Sequence, residues 1–342
     1  MNKERSEEVR KIQLTGGSTF TLSLPKKWVE EMDLEAGEKM VVEEQGSSLL
    51  LSPAKLEQEE SARQAEVNIT SDESLDTINR KILSLYLVGY NLIKIKPAEE
   101  RLKSSQRKGI KEFVRKKLVG TEIISESIEE IKLQTLLSYS ELSAKGALRR
   151  MYSVATSMQE NAMTALEEGD KTLANDVIEI DDEVDRFQMY LIREVKAAIR
   201  NPSILEEIGL KSMRECLGYR LVSKNVERVG DHAALVAKNV LEMEETISDE
   251  SLEMIKEINS FANSIFEKAA ESFFEEDYEA SEEVIQELRE IYRMEEKVNQ
   301  FLTKESPPEA IRVRLILESI RRIAEYGSDI AEIVLNLTID KK

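Results

Sequence analysis

From Tyr139 to Lys342 the chain carries a helical pattern almost without interruption, with prolines only at Pro202 and at Pro307-Pro308. Proline lacks a backbone N–H and clashes with the preceding turn, so so few breaks over this length require long helices. The prolines, with Gly169-Asp170 and Asp277-Tyr278, divide the stretch into expected helices at about 140–168, 170–200, 203–246, 249–276, 279–303 and 308–338. Two sets of three suggest a duplication. Arg228-Val229-Gly230-Asp231-His232 lines up with Arg322-Ile323-Ala324-Glu325-Tyr326, and Val236-Ala237 with Ile330-Ala331. Leu166-Glu167-Glu168-Gly169-Asp170 matches Phe274-x-Glu276-Asp277, an offset of 107. The segment from Asp181 to Phe187 matches Glu295 to Phe301 at an offset of 114, a step of seven. Seven residues are about two helical turns, so the same face stays inward. The expectation is a tandem of two three-helix bundles.

Charge separates the regions. The net charge of −19 divides into −5 over residues 1–60, +3 over 61–138 and −17 over 139–342. Residues 1–27 hold six basic groups against three acids. The acidic body argues against a protein that coats nucleic acid over its whole surface, while the basic head leaves a local contact open. A single cysteine, Cys216, excludes a disulfide or thiolate cluster within one chain, and it is expected in the core. A single histidine, His232, excludes a ferritin-like di-metal site, which needs two, and it is expected to be packed rather than ligating. A Ser-His-Asp hydrolase would need a G-x-S-x-G elbow, which is absent, so no enzyme is expected. No apolar run reaches the 18 or so residues of a membrane span, and the start is no signal peptide, so the expected location is cytoplasmic.

In the head, Val9–Leu14 and Thr19–Leu24 alternate apolar and polar residues around Thr15-Gly16-Gly17-Ser18, a hairpin pattern. Pro25 suits the first position of a short helix, and Glu38–Glu43 with Leu49–Leu51 reads as a second hairpin. Such a unit is too small to close a core alone and should dimerise or lean on the rest of the chain. Arg10-Lys11, the Thr15–Ser18 turn, Ser23-Leu24-Pro25-Lys26-Lys27-Trp28 and Leu34-x-x-Gly37-Glu38 resemble the SpoVT/AbrB family of swapped-hairpin DNA-binding domains. The resemblance covers about residues 8–54 and implies two chains interleaved into one β-barrel. It implies DNA contact through Arg10, Lys11, Thr15, Ser18, Lys26 and Lys27. Basic groups would supply sequence-independent affinity, and hydroxyls would set register.

The order βαβαββ is expected for a small α/β layer between Val67 and Leu133. Gly89 is expected to end its first helix and Gly120 its second. The basic cluster between Arg101 and Lys117 reads foremost as a solvated helix face. No nucleotide-binding fingerprint is present.

The tandem body resembles the PhoU family over essentially residues 140–340, through Val226–Ala233 and Arg322–Ala331. That resemblance implies E/D-x-x-x-D motifs that bind metal ions: Glu227 with Asp231, and Glu325 with Asp329. Asp181, Asp185 and Glu295 from the second helices would complete the sites. Carboxylates at i and i+4 share a helix face and suit hard cations, with Fe, Zn, Mg or Ca all open. With about one residue in five acidic, many such pairs arise by chance as solvated surface groups. Gly230 and Gly327 are expected to let another group approach. Asn299 stands where the first repeat has Asp185, and Arg321 where it has Glu227, so the second site should bind metal more weakly or with a different number of ions.

Together these readings predict a multidomain, mainly α chain: an AbrB-like domain over 1–56, an α/β domain over 57–138, and PhoU-like bundles over 139–248 and 249–342. The implied function is regulation of phosphate uptake, as a DNA-binding negative regulator of transport genes, of the phosphate ABC transporter, or both, and as a homodimer. The phosphate link comes from the resemblance alone. The alternative is a dimeric scaffold that docks on a membrane transporter without touching DNA. An antitoxin-like DNA binder would fit the head but leave the body without a role.

Overall fold

The computed structural model describes residues 8–45, 47–54, 63–244, 247–301 and 307–341, and the chain separates into units 1–62 and 63–342.

In the first unit, β1 (Gln13–Thr15) and β2 (Thr19–Thr21) pair antiparallel with Leu14 opposite Phe20. Gly16 and Gly17 take φ of +63° and +85°, which side-chain-bearing residues avoid, so the Thr-Gly-Gly-Ser turn is dictated locally. The strands are shorter than their alternating pattern. α1 (Lys26–Glu31) follows, with Pro25 as its N-cap rather than its first helical residue. β3 (Met40–Gln45) and β4 (Ser48–Pro53) form the second hairpin, with Val42 opposite Leu51. The hairpins are two separate sheets, so one chain closes no barrel. Leu14, Phe20, Val42 and Leu49 all lie exposed, Phe20 by 68%.

The second unit begins with a four-stranded sheet in the order β5-β6-β8-β7. β5 (Gln64–Ile69) runs parallel to β6 (Leu92–Pro97), and β8 (Ile131–Thr135) pairs antiparallel with both β6 and β7 (Thr121–Glu126). Alternation places Ile93, Ile95, Ile131 and Leu133 on one face, in one core with α2 (Leu75–Leu87) and α3 (Ser104–Lys117). The βαβαββ order is as expected. Gly89, at φ +87°, follows the C-cap of α2, but Gly120 lies beyond the extended Leu118 that ends α3 and serves the turn into β7.

The body consists of α4 (Ala144–Glu168), α5 (Lys171–Arg200), the one-turn α6 (Ile204–Glu207), α7 (Met213–Glu242), α8 (Asp249–Glu275), α9 (Tyr278–Glu287), α10 (Arg289–Phe301) and α11 (Pro307–Thr338). Asp170 caps α5 by accepting from Thr172 N and Leu173 N, and Asp277 caps α9 by accepting from Ala280 N. The same residue type thus starts the second helix of each repeat. Two expected helices differ. The third starts at Met213 instead of 203, after α6 and Gly209 at φ +78°; the fifth breaks at Leu288, between the segments whose offset shifts by seven. Small and apolar residues of both repeats merge into one core containing Ala147, Val184, Val229, Ile265, Ile323 and Val334.

The α/β layer and the body are bound together by Arg193 on α5. This guanidinium, 2% exposed, donates to Tyr86 O at 2.5 Å, to Tyr90 O at 3.1 Å and to Asn91 Oδ1. A buried cation is tolerated when its donors are satisfied, here chiefly by carbonyls at the end of α2.

Candidate functional site

The six head residues expected to meet DNA lie on two elements of the first unit. Arg10 and Lys11 precede β1, Thr15 and Ser18 flank the β1–β2 turn, and Lys26 and Lys27 open α1; all are exposed. Arg10 pairs with Glu8, and Lys26 lies 3.5 Å from Glu30. Thr15 Oγ1 and Thr21 Oγ1 share a hydrogen bond of 3.2 Å across the hairpin. Such exposed local pairs are weak and leave the cations available to another anion.

In the body, the third helices α7 and α11 cross antiparallel, and residues related by the duplication touch there. His232 and Tyr326, 94 positions apart, place their rings 5.7 Å apart, so a pseudo-two-fold axis passes between them. His232 is half-buried, with its basicity lowered by burial and then by Arg322. It is packed, as expected.

On the first repeat, Asp181 and Asp185 of α5 face Glu227 and Asp231 of α7. Asp181 is pushed up to about 6 by burial and then by the charges of Asp231 and Asp185, and its Oδ1 is buried without a hydrogen-bond partner. Asp231 is raised by burial, then by Glu227 and Asp185. Glu227 is 9% exposed and pairs with Lys224. Lys117, from the C-terminus of α3, reaches Asp182 at 2.6 Å and Asp185 at 2.8 Å. Although burial opposes its charge, these hydrogen bonds raise its basicity. Sequence reasoning missed Lys117 as part of this cluster, because the run Arg115-Lys116-Lys117 reads equally well as a helix end complementing its dipole.

The second repeat differs in kind. Arg321, at the position of Glu227, pairs with Glu325 and lies 3.1 Å from Glu295; Arg322 and Tyr292 also donate to Glu325, each at 2.9 Å. Asp329 stands one turn further on, raised by burial and then by Glu332. The arginine supplies the positive charge that an ion would bring, so these residues do not fit a metal centre. In the first repeat the unpartnered Asp181 oxygen and the mutually repelling carboxylates favour a cation. Even there, among the described residues, no three Asp, Glu, His or Cys side chains converge closely enough to share one ion.

The glycines also divide. A Cβ on Gly230 would meet Asp181 Oδ1 and Val184 at an ordinary 3.5 Å. On Gly327 it would come within 3.0 Å of Ile265 and 3.1 Å of the Phe266 backbone. Gly327 therefore lets another group approach, and that group is the neighbouring helix α8. Cys216 is fully buried, with its thiol pushed up to about 11 by burial. No described helix is long and apolar enough to cross a membrane.

The comparisons with known proteins agree with this duplication. The PhoU domain model matches twice, over residues 148–240 and 242–334. A model of the bacterial antitoxin MazE, described as antidote-toxin recognition, matches residues 13–59. The chain is 26% identical over 217 residues to phosphate-specific transport system accessory protein PhoU homolog 2 of Thermotoga maritima, covering 62% of this chain and 85% of that protein. It is 34% identical over 94 residues to the PhoU homolog of Deinococcus radiodurans, covering 27% of this chain and 40% of that one. The crystal structure of PhoU from Pseudomonas aeruginosa superposes with a TM-score of 0.52 at 23% identity, over 58% of this chain and 96% of that chain. That of the phosphate transport system regulatory protein PhoU from Streptococcus pneumoniae gives 0.51 at 19%, over 58% and 94%. With two PhoU domains filling more than half its length and folding as two three-helix repeats, the chain belongs to the PhoU family.

Proposed function

We propose that the chain is a cytoplasmic regulator of phosphate uptake whose helical body acts on phosphate-transport machinery and whose head binds DNA as a homodimer. The first half of this reading is supported by the tandem PhoU repeats and by the transport function in the names of the relatives. The observation that carries the second half is the head itself. Leu14, Phe20, Val42 and Leu49 are uncovered within one chain, while exposed basic groups flank the hairpin. A second head interleaved with the first would bury these side chains and present two basic surfaces together. Bound at promoters of transport genes, the dimer would act as a negative regulator.

Cation binding, on this reading, belongs to the first repeat. An ion there would displace Lys224 and Lys117, relieve the repulsion around Asp181, and thereby loosen the grip of the α/β layer on α5. Equilibrium dialysis with Zn2+, Fe2+ and Mg2+ tests this: binding should disappear in the Asp181→Asn, Asp231→Asn double variant and survive Glu325→Gln. Binding insensitive to the first change would contradict it.

The regulatory reading is tested by deleting the gene and profiling transcripts and phosphate transport. Raised expression of transport genes in phosphate-rich medium supports it. Unchanged expression with altered transport would favour the scaffold that docks on the transporter without DNA.

A further inference from the structure

The four-stranded sheet of the second unit has two edges, β5 and β7, and they are built differently. β7 carries what edge strands use to turn a partner away: its register breaks between Ile123 and Ser125, and it ends in Glu126, which Arg107 and Lys111 of α3 hold at 3.0 Å each. β5 has no such break. Its six residues follow β6 in unbroken parallel register, from Gln64 beside Leu92 to Ile69 beside Pro97, and its one charged side chain, Glu66, pairs with Lys96 at 2.6 Å. In a parallel ladder, alternate residues turn their backbone groups to the same neighbour. Arg63 O accepts from Asn91 N and Leu92 N, and Ile69 O from Ala98 N, so the odd-numbered residues face β6. The exposed Gln64, Glu66 and Asn68 therefore point their N–H and C=O groups away from the sheet. Among the described residues, none of these six groups has a hydrogen-bond partner.

Beside this edge lies a groove of about 630 Å³ between β5 and α2. Val67 and Leu85, which also pack on the core of the layer, give it an apolar floor. Thr77, Arg80 and Ser84, spaced as one stripe of α2, form its wall. The free charge of the groove is positive. Lys81 is engaged by Glu73 at 2.5 Å, whereas Arg80 is exposed, donates to Thr77 Oγ1 at 3.1 Å and, among the described residues, meets no carboxylate.

We propose that β5 docks an extended acidic segment of a partner protein, which adds to the sheet as a fifth strand. Backbone hydrogen bonds to Gln64, Glu66 and Asn68 hold such a segment whatever its sequence, and the groove selects among sequences. Every second side chain of the added strand lies on the α2 side. There an apolar one covers Val67 and Leu85, and an acidic one two residues away meets Arg80. A second copy of this chain suits the edge poorly. Pairing the outward residues of two β5 strands antiparallel sets Gln64 opposite Asn68 and Glu66 opposite Glu66, and like charges directly opposite are destabilising. The edge gives the α/β layer a role separate from those of the head and the helical body.

The experiment titrates the full chain with the end-blocked peptide Thr-Glu-Thr-Val-Thr-Glu-Thr, whose valine and glutamates share one face of a strand, and with its counterpart carrying lysine in place of both glutamates. The acidic peptide should bind with a dissociation constant below about 1 mM, at least about tenfold more tightly than the basic one. Amide exchange at Gln64, Glu66 and Asn68 should slow on binding, which a contact with Arg80 alone would not produce. Asn68→Pro removes an N–H that β6 does not use, and proline is tolerated on edge strands, so the variant should fold and lose the peptide. Should it fail to fold, Arg80→Glu on the exposed side of α2 decides: it should reverse the preference between the two peptides. The proposal is overturned if the acidic peptide does not bind at about 1 mM or binds no more tightly than the basic one, or if those three amides exchange as fast as before. It is also overturned if Asn68→Pro lowers the sedimenting mass of the full chain, which would make a second copy the occupant.

Discussion

At the scale of single residues, the buried charges on α5 do the most to set conditions for stability. Glu194 is 2% exposed, its Oε2 has no partner, and burial, opposed by Arg193 and reinforced by Glu207, pushes it up to about 8. A carboxyl that binds its proton more tightly in the folded state contributes fully below its unfolded value, near 4.5, and loses that contribution as pH rises through about 8. The protein should therefore lose on the order of a few kcal/mol between pH 5 and pH 9 from this group. Glu194→Gln should flatten that fall, as read from urea denaturation across the pH range; an unchanged slope would remove the assignment. Arg193→Met should cost about 3 kcal/mol, because Tyr90 O and Asn91 Oδ1 lose the Arg193 donor and Tyr86 O is left with the Gly89 N–H. Amide exchange should rise first in the α/β layer.

At the scale of elements, the two glycines make a paired test. Gly230→Ala should be neutral or stabilising by up to about 1 kcal/mol, since the added methyl meets only ordinary contacts and helix propensity improves. Gly327→Ala should destabilise by about 1–3 kcal/mol, because α11 would be pushed from the α8 backbone. Thermal melts of the two variants should move in opposite directions or leave Gly230→Ala unmoved. The helices themselves were legible in the sequence because Asp170 and Asp277 cap them and because prolines are so sparse. The role of Gly327 was not, since a glycine beside a carboxylate reads the same whether it faces a ligand or a neighbouring helix. Nor was Arg321: its substitution for Glu227 was visible, but that its guanidinium would ion-pair with both Glu295 and Glu325 depends on the crossing of α10 and α11. Likewise the contact of Lys117 with Asp182 and Asp185 joins residues over 60 positions apart, beyond any local pattern.

At the scale of the whole molecule, the acidity belongs to the body, and the head leaves Leu14, Phe20, Val42 and Leu49 uncovered within one chain. A chain that dimerises through its head should show this in sedimentation, and Phe20→Glu with Leu14→Glu should return it to monomer while α4–α11 melt as before. The DNA contacts proposed for the head would then follow from dimer geometry, and they carry the proposal that a PhoU-family body is here joined to a promoter-binding head. The most direct measurement is binding of the full-length protein to DNA from upstream of phosphate-transport genes, against competitor DNA, over a range of salt. The account predicts preferential binding with a steep salt slope, weakened by Lys26→Ala with Lys27→Ala, which should lower the slope by about two. Affinity equal to that for competitor DNA, and unaltered by those two substitutions, would contradict it.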